Sequence, residues 1–240
     1  MQMTALSQEQ TLRYARNIAL PFVGDEGQQR LLATRVTIVG CGALGSVAAM
    51  YLAGSGVGTL TIVDFDTIDV SNLQRQPFYT MSQLGESKAR SLAASVKALN
   101  PDVKVNVVET LLRSEGMKNL LGNSDIVLEC SDNPSTKLMV SDNCRTGGVP
   151  CVIGGVSGTN GQVLGVGNGT PGFREIFGDD PGCTGFTPCG AGGVFAPAAA
   201  IVAASQVAEA IKIALGQEET LIGHLLMVDT LTMTFRKLKI

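Results

Sequence analysis

The chain has 240 residues, 45% of them hydrophobic and only 16% charged, so it can bury a large core and does not have the composition of a disordered segment. Eighteen basic against twenty-one acidic side chains leave a net charge of −3 and a pI near 5.2, which offers no cationic surface for nucleic acid. The longest apolar stretch, residues 195–204, is about half of what a bilayer crossing needs, and the N-terminus lacks the basic and apolar parts of a secretion signal; a cytoplasmic protein with no membrane span and reduced cysteines is expected.

Residues 1–34 read as an N-terminal helical arm, amphipathic over 13–32 and broken by Pro21 and Gly24. Residues 35–39 form a β-branched run, followed at once by Gly40-Cys41-Gly42-Ala43-Leu44-Gly45 and a small-residue helix ending near Gly54 and Gly56. Further strands are predicted over 59–64, 104–108 and 125–129, with a helix over 88–99 stopped by Pro101. This alternation predicts an α/β fold, Rossmann-like and doubly wound, with a mainly parallel sheet. Two glycine-separated strand-like runs occupy 149–166, and residues 167–193 show no usable periodicity, as expected of a mobile functional loop. A nearly all-apolar helix over 196–215 leads to a return to β over 225–240, with Asp229 between two strands, so antiparallel strands are expected to extend the sheet in the C-terminal half. The whole of 1–240 is read as one domain, with a nucleotide-binding half at 35–148 and a second half at 149–240.

The turn at 40–45 has the G-x-G-x-x-G form between a strand and a helix, and Asp64 follows Gly45 by 19 residues at the next strand's end. Glycines there let the backbone approach a phosphate at the positive end of a helix, and the acid would accept from ribose hydroxyls. Downstream come Asp66, Asn72, Arg75, Gln76 and Lys88; the two cations suit a triphosphate better than a dinucleotide, whose pyrophosphate is largely satisfied by backbone amides. Asp132 and Asn133 stand at the carboxyl end of the fourth strand, the rim of the expected crevice, and Asp132 is a candidate Mg²⁺ ligand. The plainer alternatives are that Arg75 and Lys88 are solvated charges and Asp132 a helix N-cap. An NAD-dependent oxidoreductase is favoured only by the glycine turn and Asp64, with no hydride-transfer pattern after Asp132.

Taken together, Arg13-Tyr14-Ala15-Arg16, the glycine turn continued by Ser46, Asp64-Phe65-Asp66, Ser71-Asn72-Leu73-Gln74-Arg75-Gln76, Lys88 and Ser131-Asp132-Asn133 resemble the ThiF/MoeB/HesA family, bacterial relatives of ubiquitin-activating enzymes, over about residues 12–240. The resemblance implies adenylation of the C-terminal Gly-Gly carboxylate of a small ubiquitin-like sulfur-carrier protein, using ATP and Mg²⁺ and releasing pyrophosphate, for thiamine-type or molybdopterin-type sulfur transfer. It implies Gly40, Gly42, Ala43, Leu44 and Gly45 at the nucleotide turn, with Asp66, Gln76 and Asn133 beside it. Asp64 would hold the ribose, Asn72, Arg75 and Lys88 the phosphates, and Asp132 the magnesium. It further implies a homodimer in which Arg16 reaches the other subunit's site, and a carrier-binding role for 149–240. Asn17 stands where glutamine is commoner.

The family's Pro-Cys-x-x-Cys-x-Phe zinc segment matches residues 171–177, where Gly172 and Glu175 replace the thiolates, and no second Cys-x-x-Cys occurs before Ile240; no zinc is expected. Cys189 matches the loop cysteine that links to the carrier in some members and is a candidate thiol, with Cys183 a possible partner. Cys41, Cys130, Cys144 and Cys151 read as small buried hydrophobes. Two neighbouring readings stay open: adenylation of a peptide or small-acid tail, and a non-catalytic adaptor, whose mark would be loss of Arg16, Arg75, Lys88 or Asp132.

Overall fold

The structure is a computed structural model that describes residues 5–179 and 193–240. Its centre is an eight-stranded sheet in the order β3-β2-β1-β4-β5-β6-β7-β8. The strands are β1 (Arg35–Val39), β2 (Thr59–Val63), β3 (Lys104–Val108), β4 (Ile126–Glu129), β5 (Cys151–Ser157), β6 (Asn160–Val166), β7 (His224–Asp229) and β8 (Thr234–Lys239). Those from β3 to β5 pair in parallel, and β5 to β8 pair antiparallel.

Alternation along the strands divides the core in two. Val36, Ile38, Leu60, Ile62, Ile126 and Leu128 pack with α4 (Gly45–Gly54), α5 (Lys88–Leu99) and α9 (Ala196–Ala214). Val127, Cys151, Ile153, Leu164 and Val166 pack with α6 (Ser114–Leu121), α7 (Pro134–Gly147) and α8 (Phe173–Phe177). Period-2 burial on both faces requires near-continuous apolar strands, as β1 and β4 show. Helix α9 is, among the described residues, the one helix long and apolar enough to cross a membrane; here it lies against β4, β5, β6 and α4.

The expectation of a structureless segment over 167–193 is corrected for its first part. Residues 173–177 form α8, because Phe173 is buried in the second core cluster and its ring packs at a tilt against Phe177, centroids 4.5 Å apart. Five residues are too few to declare a helical period. Cys183 and Cys189 lie outside the described residues, whereas Cys41, Cys130, Cys144 and Cys151 are buried free thiols.

The arm starts before residue 13. Ser7 caps α1 (Gln8–Arg13) through a reciprocal capping box with Gln10, and α2 (Ala15–Ile18) and α3 (Gly24–Ala33) follow. Tyr14 is its anchor, fully buried, with its hydroxyl accepting from Asn100 Nδ2 at 2.8 Å. Asn17 Nδ2 donates to the Ser55 carbonyl at 3.2 Å, and Gln28 Nε2 donates to the same oxygen at 3.0 Å. Gly56 has φ +83°, and a Cβ there would lie 2.5 Å from Gln28 Nε2 and 2.7 Å from the Tyr14 ring, so glycine is required for the arm to seat. Every one of these contacts lies where the chain enters β2 and β3.

Candidate active site

At the other end of the same strands, the sheet order reverses between β1 and β4, the position where open parallel sheets bind ligands. A cavity of about 300 Å³ opens there, lined by Gly40, Gly42, Ala43 and Leu44 after β1, Asp64 and Asp66 after β2, and the turn after β4. Gly40 has φ +90°, and a Cβ there would come 2.9 Å from the Ser131 amide nitrogen, so the two turns meet backbone to backbone. Gly45 is not among the residues that line the cavity. A Cβ on Gly45 would overlap the Gly40 carbonyl oxygen, so its role is to let α4 close onto the turn.

Asp64 is oriented by its own backbone surroundings: its Oδ2 accepts from the Cys41 N–H and its Oδ1 from the Asp66 N–H at 2.8 Å. Burial pushes its pKa up, and these two donors pull the other way. Tyr79, buried, donates to the Cys41 carbonyl at 2.8 Å and so braces the glycine turn. Lys88 heads α5 behind its N-cap Ser87 and pairs through Nζ with Asp66 Oδ2 at 3.1 Å. Arg75 donates to the Ser71 carbonyl at 3.0 Å, and Asn72 lines the cavity with it.

Two groups in this wall are uncommitted. Gln76 is 3% exposed, yet its Oε1 has no hydrogen-bond partner, which is costly unless a ligand supplies a donor. Asp132 stands exposed at the rim, and no described residue takes its carboxylate in a hydrogen bond or ion pair. The N-cap of α7 is Asn133, not Asp132, its side chain accepting from the Thr136 N–H at 3.1 Å. That assigns Asn133 a structural bond beside its place in the lining and leaves Asp132 free. Phe65 and Leu111 line the mouth while 60% and 53% exposed, an apolar lip suited to a flat base.

Sequence reasoning missed Glu129 and Lys137. Glu129, at the end of β4, is fully buried, and Lys137 Nζ meets its Oε2 at 2.5 Å. Burial raises the Glu129 pKa and the Lys137 ammonium opposes this. The charged side chains lining the cavity are then Asp64, Asp66 and Asp132 against Arg75, Lys88 and Lys137, and Lys137 is already neutralised by Glu129, so there is no cationic excess. The lining therefore offers a triphosphate no net positive charge of its own.

Arg16 is exposed on α2 and does not line the cavity. The arm that carries it is seated where strands β2 and β3 begin, and the cavity lies where they end. At the positions matching the family's zinc thiolates, the Gly172 N–H donates to Glu175 Oε2 at 3.0 Å and Glu175 pairs with Arg145 on α7. Arg174 pairs with Asp142 on the same helix at 2.6 Å. Ion pairs thus hold α8 against α7. Among the described residues there is no group of three or more His, Cys, Asp or Glu that could hold a metal ion.

Residues 14–240 match the ThiF family. The chain is 38% identical to the probable adenylyltransferase/sulfurtransferase MoeZ of Mycobacterium tuberculosis over 99% of its own length and 62% of that protein's, so it spans less than two thirds of that relative. It is 39% identical to the SAMP-activating enzyme E1 of Haloferax volcanii, with 96% and 86% covered, and 38% identical to the sulfur carrier protein adenylyltransferase of Thermus thermophilus, with 98% and 89% covered. Among solved structures, PaaA superposes with a TM-score of 0.82 at 24% identity over 99% of this chain and 75% of that one. Escherichia coli MccB with ATP superposes equally well, at 21% identity over 95% and 70%. These two bear on the fold; the family match and the sequence relatives decide membership, and the chain belongs to the ThiF family.

Proposed function

We propose that the protein adenylates the C-terminal Gly-Gly carboxylate of a small ubiquitin-like sulfur-carrier protein with ATP, releasing pyrophosphate, in thiamine-type or molybdopterin-type sulfur transfer. The observation that carries this reading is the convergence on one glycine turn of a free carboxylate, Asp132, with Arg75, Lys88 and the unpartnered amide oxygen of Gln76. The name of the Thermus relative, a sulfur carrier protein adenylyltransferase, supports a carrier protein as the substrate, and that of the Haloferax relative, an activating enzyme E1, supports activation as the chemistry.

In this reading Asp64 accepts from the ribose, its carboxylate already aimed by two backbone N–H groups. Asn72, Arg75 and Lys88 hold the phosphates; Lys88 exchanges its Asp66 partner for a phosphate oxygen or shares it. Asp132 would hold Mg²⁺, which supplies charge neutralisation on the phosphates. The carrier's carboxylate is ionised at pH 7 and attacks the α-phosphate without a general base, so the protein's work is positioning and charge neutralisation. Residues 149–240 form the carrier-binding half. In support, a second groove along Gly155, Gln162, Met227 and Arg236 meets the first cavity at Gly155 and Val156, a glycine-floored route for an extended tail. The working unit is a homodimer with Arg16 acting in trans, which adds a cation to a lining that has no cationic excess.

ATP–pyrophosphate exchange tests this directly, using purified protein, Mg²⁺ and carriers ending in Gly-Gly or lacking the last glycine. Exchange that requires the intact tail is expected. ATP binding with no exchange on any carrier would overturn the carrier reading in favour of a different acceptor or an adaptor.

A further inference from the structure

Behind the Asp132 turn sits the most deeply buried charge pair of the described residues. Lys137 Nζ donates to Glu129 Oε2 at 2.5 Å, to the Ser131 carbonyl at 2.7 Å and to the Gly154 carbonyl at 2.5 Å, which uses all three ammonium protons. Glu129 Oε1 accepts from the Ser131 N–H at 3.0 Å and from the Ser131 hydroxyl. Ser131 is therefore gripped at its amide, its hydroxyl and its carbonyl by one ion pair, and the next residue is Asp132. The pair is itself tied down: Gln206 Nε2, from the buried side of α9, donates to the carbonyls of Glu129 and Val152 at 3.0 Å each. Gly154 leaves that amide room, since a Cβ there would overlap it.

Buried ion pairs are often replaced by apolar groups without loss of stability, so stability alone gives no reason to spend two charges here. The convergence of their hydrogen bonds on a single peptide does give one. We propose that Glu129 and Lys137 are positioning residues of the adenylation site, fixing the Ser131 peptide so that the Asp132 carboxylate faces the nucleotide's phosphates and their divalent cation. This rests on Asp132 being the residue that holds that cation.

The test uses the paired variant Glu129→Gln/Lys137→Met, because Lys137→Met alone strands a buried carboxylate and endangers the fold. The pair removes both charges and keeps an acceptor for Ser131. Ser131→Ala, which leaves the ion pair intact and removes one of its contacts, serves as the milder companion. Three readouts are taken: amide hydrogen exchange at residue 131, calorimetric ATP affinity with and without Mg²⁺, and ATP–pyrophosphate exchange kinetics. The paired variant is expected to keep a cooperative melt, to lose protection at the Ser131 amide, and to bind ATP without Mg²⁺ as the native protein does. The gain in ATP affinity on adding Mg²⁺ should shrink roughly tenfold, and kcat for exchange should fall roughly 10- to 100-fold with KM for ATP little changed. Ser131→Ala should move the same quantities in the same direction by a smaller factor. A paired variant with native Mg²⁺ dependence and native kcat overturns the inference while leaving the role of Asp132 intact. If instead Asp132→Ala retains the full Mg²⁺ gain, the metal reading of Asp132 falls and the inference with it.

Discussion

The two ends of the parallel strands are built on opposite rules. Where β2 and β3 begin, the polar groups that seat the arm are satisfied by neighbours: Tyr14 by Asn100, Asn17 and Gln28 by the Ser55 carbonyl. Where the strands end, among the described residues, Asp132 is left unpaired, Gln76 keeps an orphaned amide oxygen, and the charged side chains around the open cavity carry no cationic excess. The first end is finished within the chain and the second is not. Arg16 belongs to the finished end by position, away from the cavity of its own chain, so the proposed role in trans is the part of the reading that this contrast bears on most.

The largest expected effect comes from removing the free carboxylate. Asp132→Ala should lower ATP–pyrophosphate exchange by about 10³-fold or more with the melting temperature unchanged, since that side chain makes no hydrogen bond or ion pair among the described residues. Retained exchange would erase the contrast between the two ends. Arg16→Ala should cost about 10³-fold, the low end for a charge-neutralising arginine supplied in trans. Mixing Arg16→Ala with Asp132→Ala subunits sharpens the point. Each mixed dimer would hold one complete site, so random reassembly should return about a quarter of native exchange. No recovery on mixing would mean that Arg16 serves its own chain or nothing.

A smaller effect should follow from disturbing the finished end. Gly56→Ala introduces a Cβ into a left-handed backbone position against Tyr14 and Gln28, and should destabilise the fold by about 2–3 kcal/mol in thermal or denaturant melts. If the arm's seat matters to the partner's site, exchange measured well below the melting temperature should fall as well, although Gly56 is remote from the cavity. Unchanged exchange in a folded Gly56→Ala protein would separate the arm's packing from the chemistry.

How much of this was legible in the sequence depends on how local the signal is. The glycine turn, Asp64 and the head of the Lys88 helix follow from strand and helix periods within about twenty residues, and the structure has them together. The confusion between Asp132 and Asn133 as cap had a local solution: Pro134 sits at the first helical turn, so the residue before it is the cap. Glu129 and Lys137 had none. A lysine in the first turn of an amphipathic helix reads as solvated, and only the closure of β5 over it, with the Gly154 carbonyl as acceptor, buries the charge. The stretch over 167–179 was opaque because α8 is a single turn held by partners some 30 residues away.

That turn gives the smallest and most condition-dependent effect. Arg145 pairs with Glu175, and its guanidinium holds the Glu175 carboxyl below the usual glutamate range. A folded-state pKa below the unfolded one stabilises the protein at pH above the unfolded value, near 4.3, and the contribution fades as pH falls through the lower folded value. Both side chains are more than a third exposed or close to it, so the pair is screened and worth less than about 1 kcal/mol. Arg145→Ala should therefore melt slightly below the native protein at pH 7 and low salt, with the gap narrowing as pH falls through the lowered Glu175 value and again in 1 M salt. Arg145 also packs its stem within 2.7 Å of where a Gly172 Cβ would stand, so a gap that persists under both conditions would assign the contact to packing instead of charge. Either outcome bears on the comparison of the two ends, because α8 contributes Phe173 to the cavity wall: an electrostatic clasp would make the unfinished end sensitive to ionic strength, whereas the arm's seat, held mainly by neutral hydrogen bonds with one long Arg13–Asp102 ion pair at 4.0 Å, would respond less.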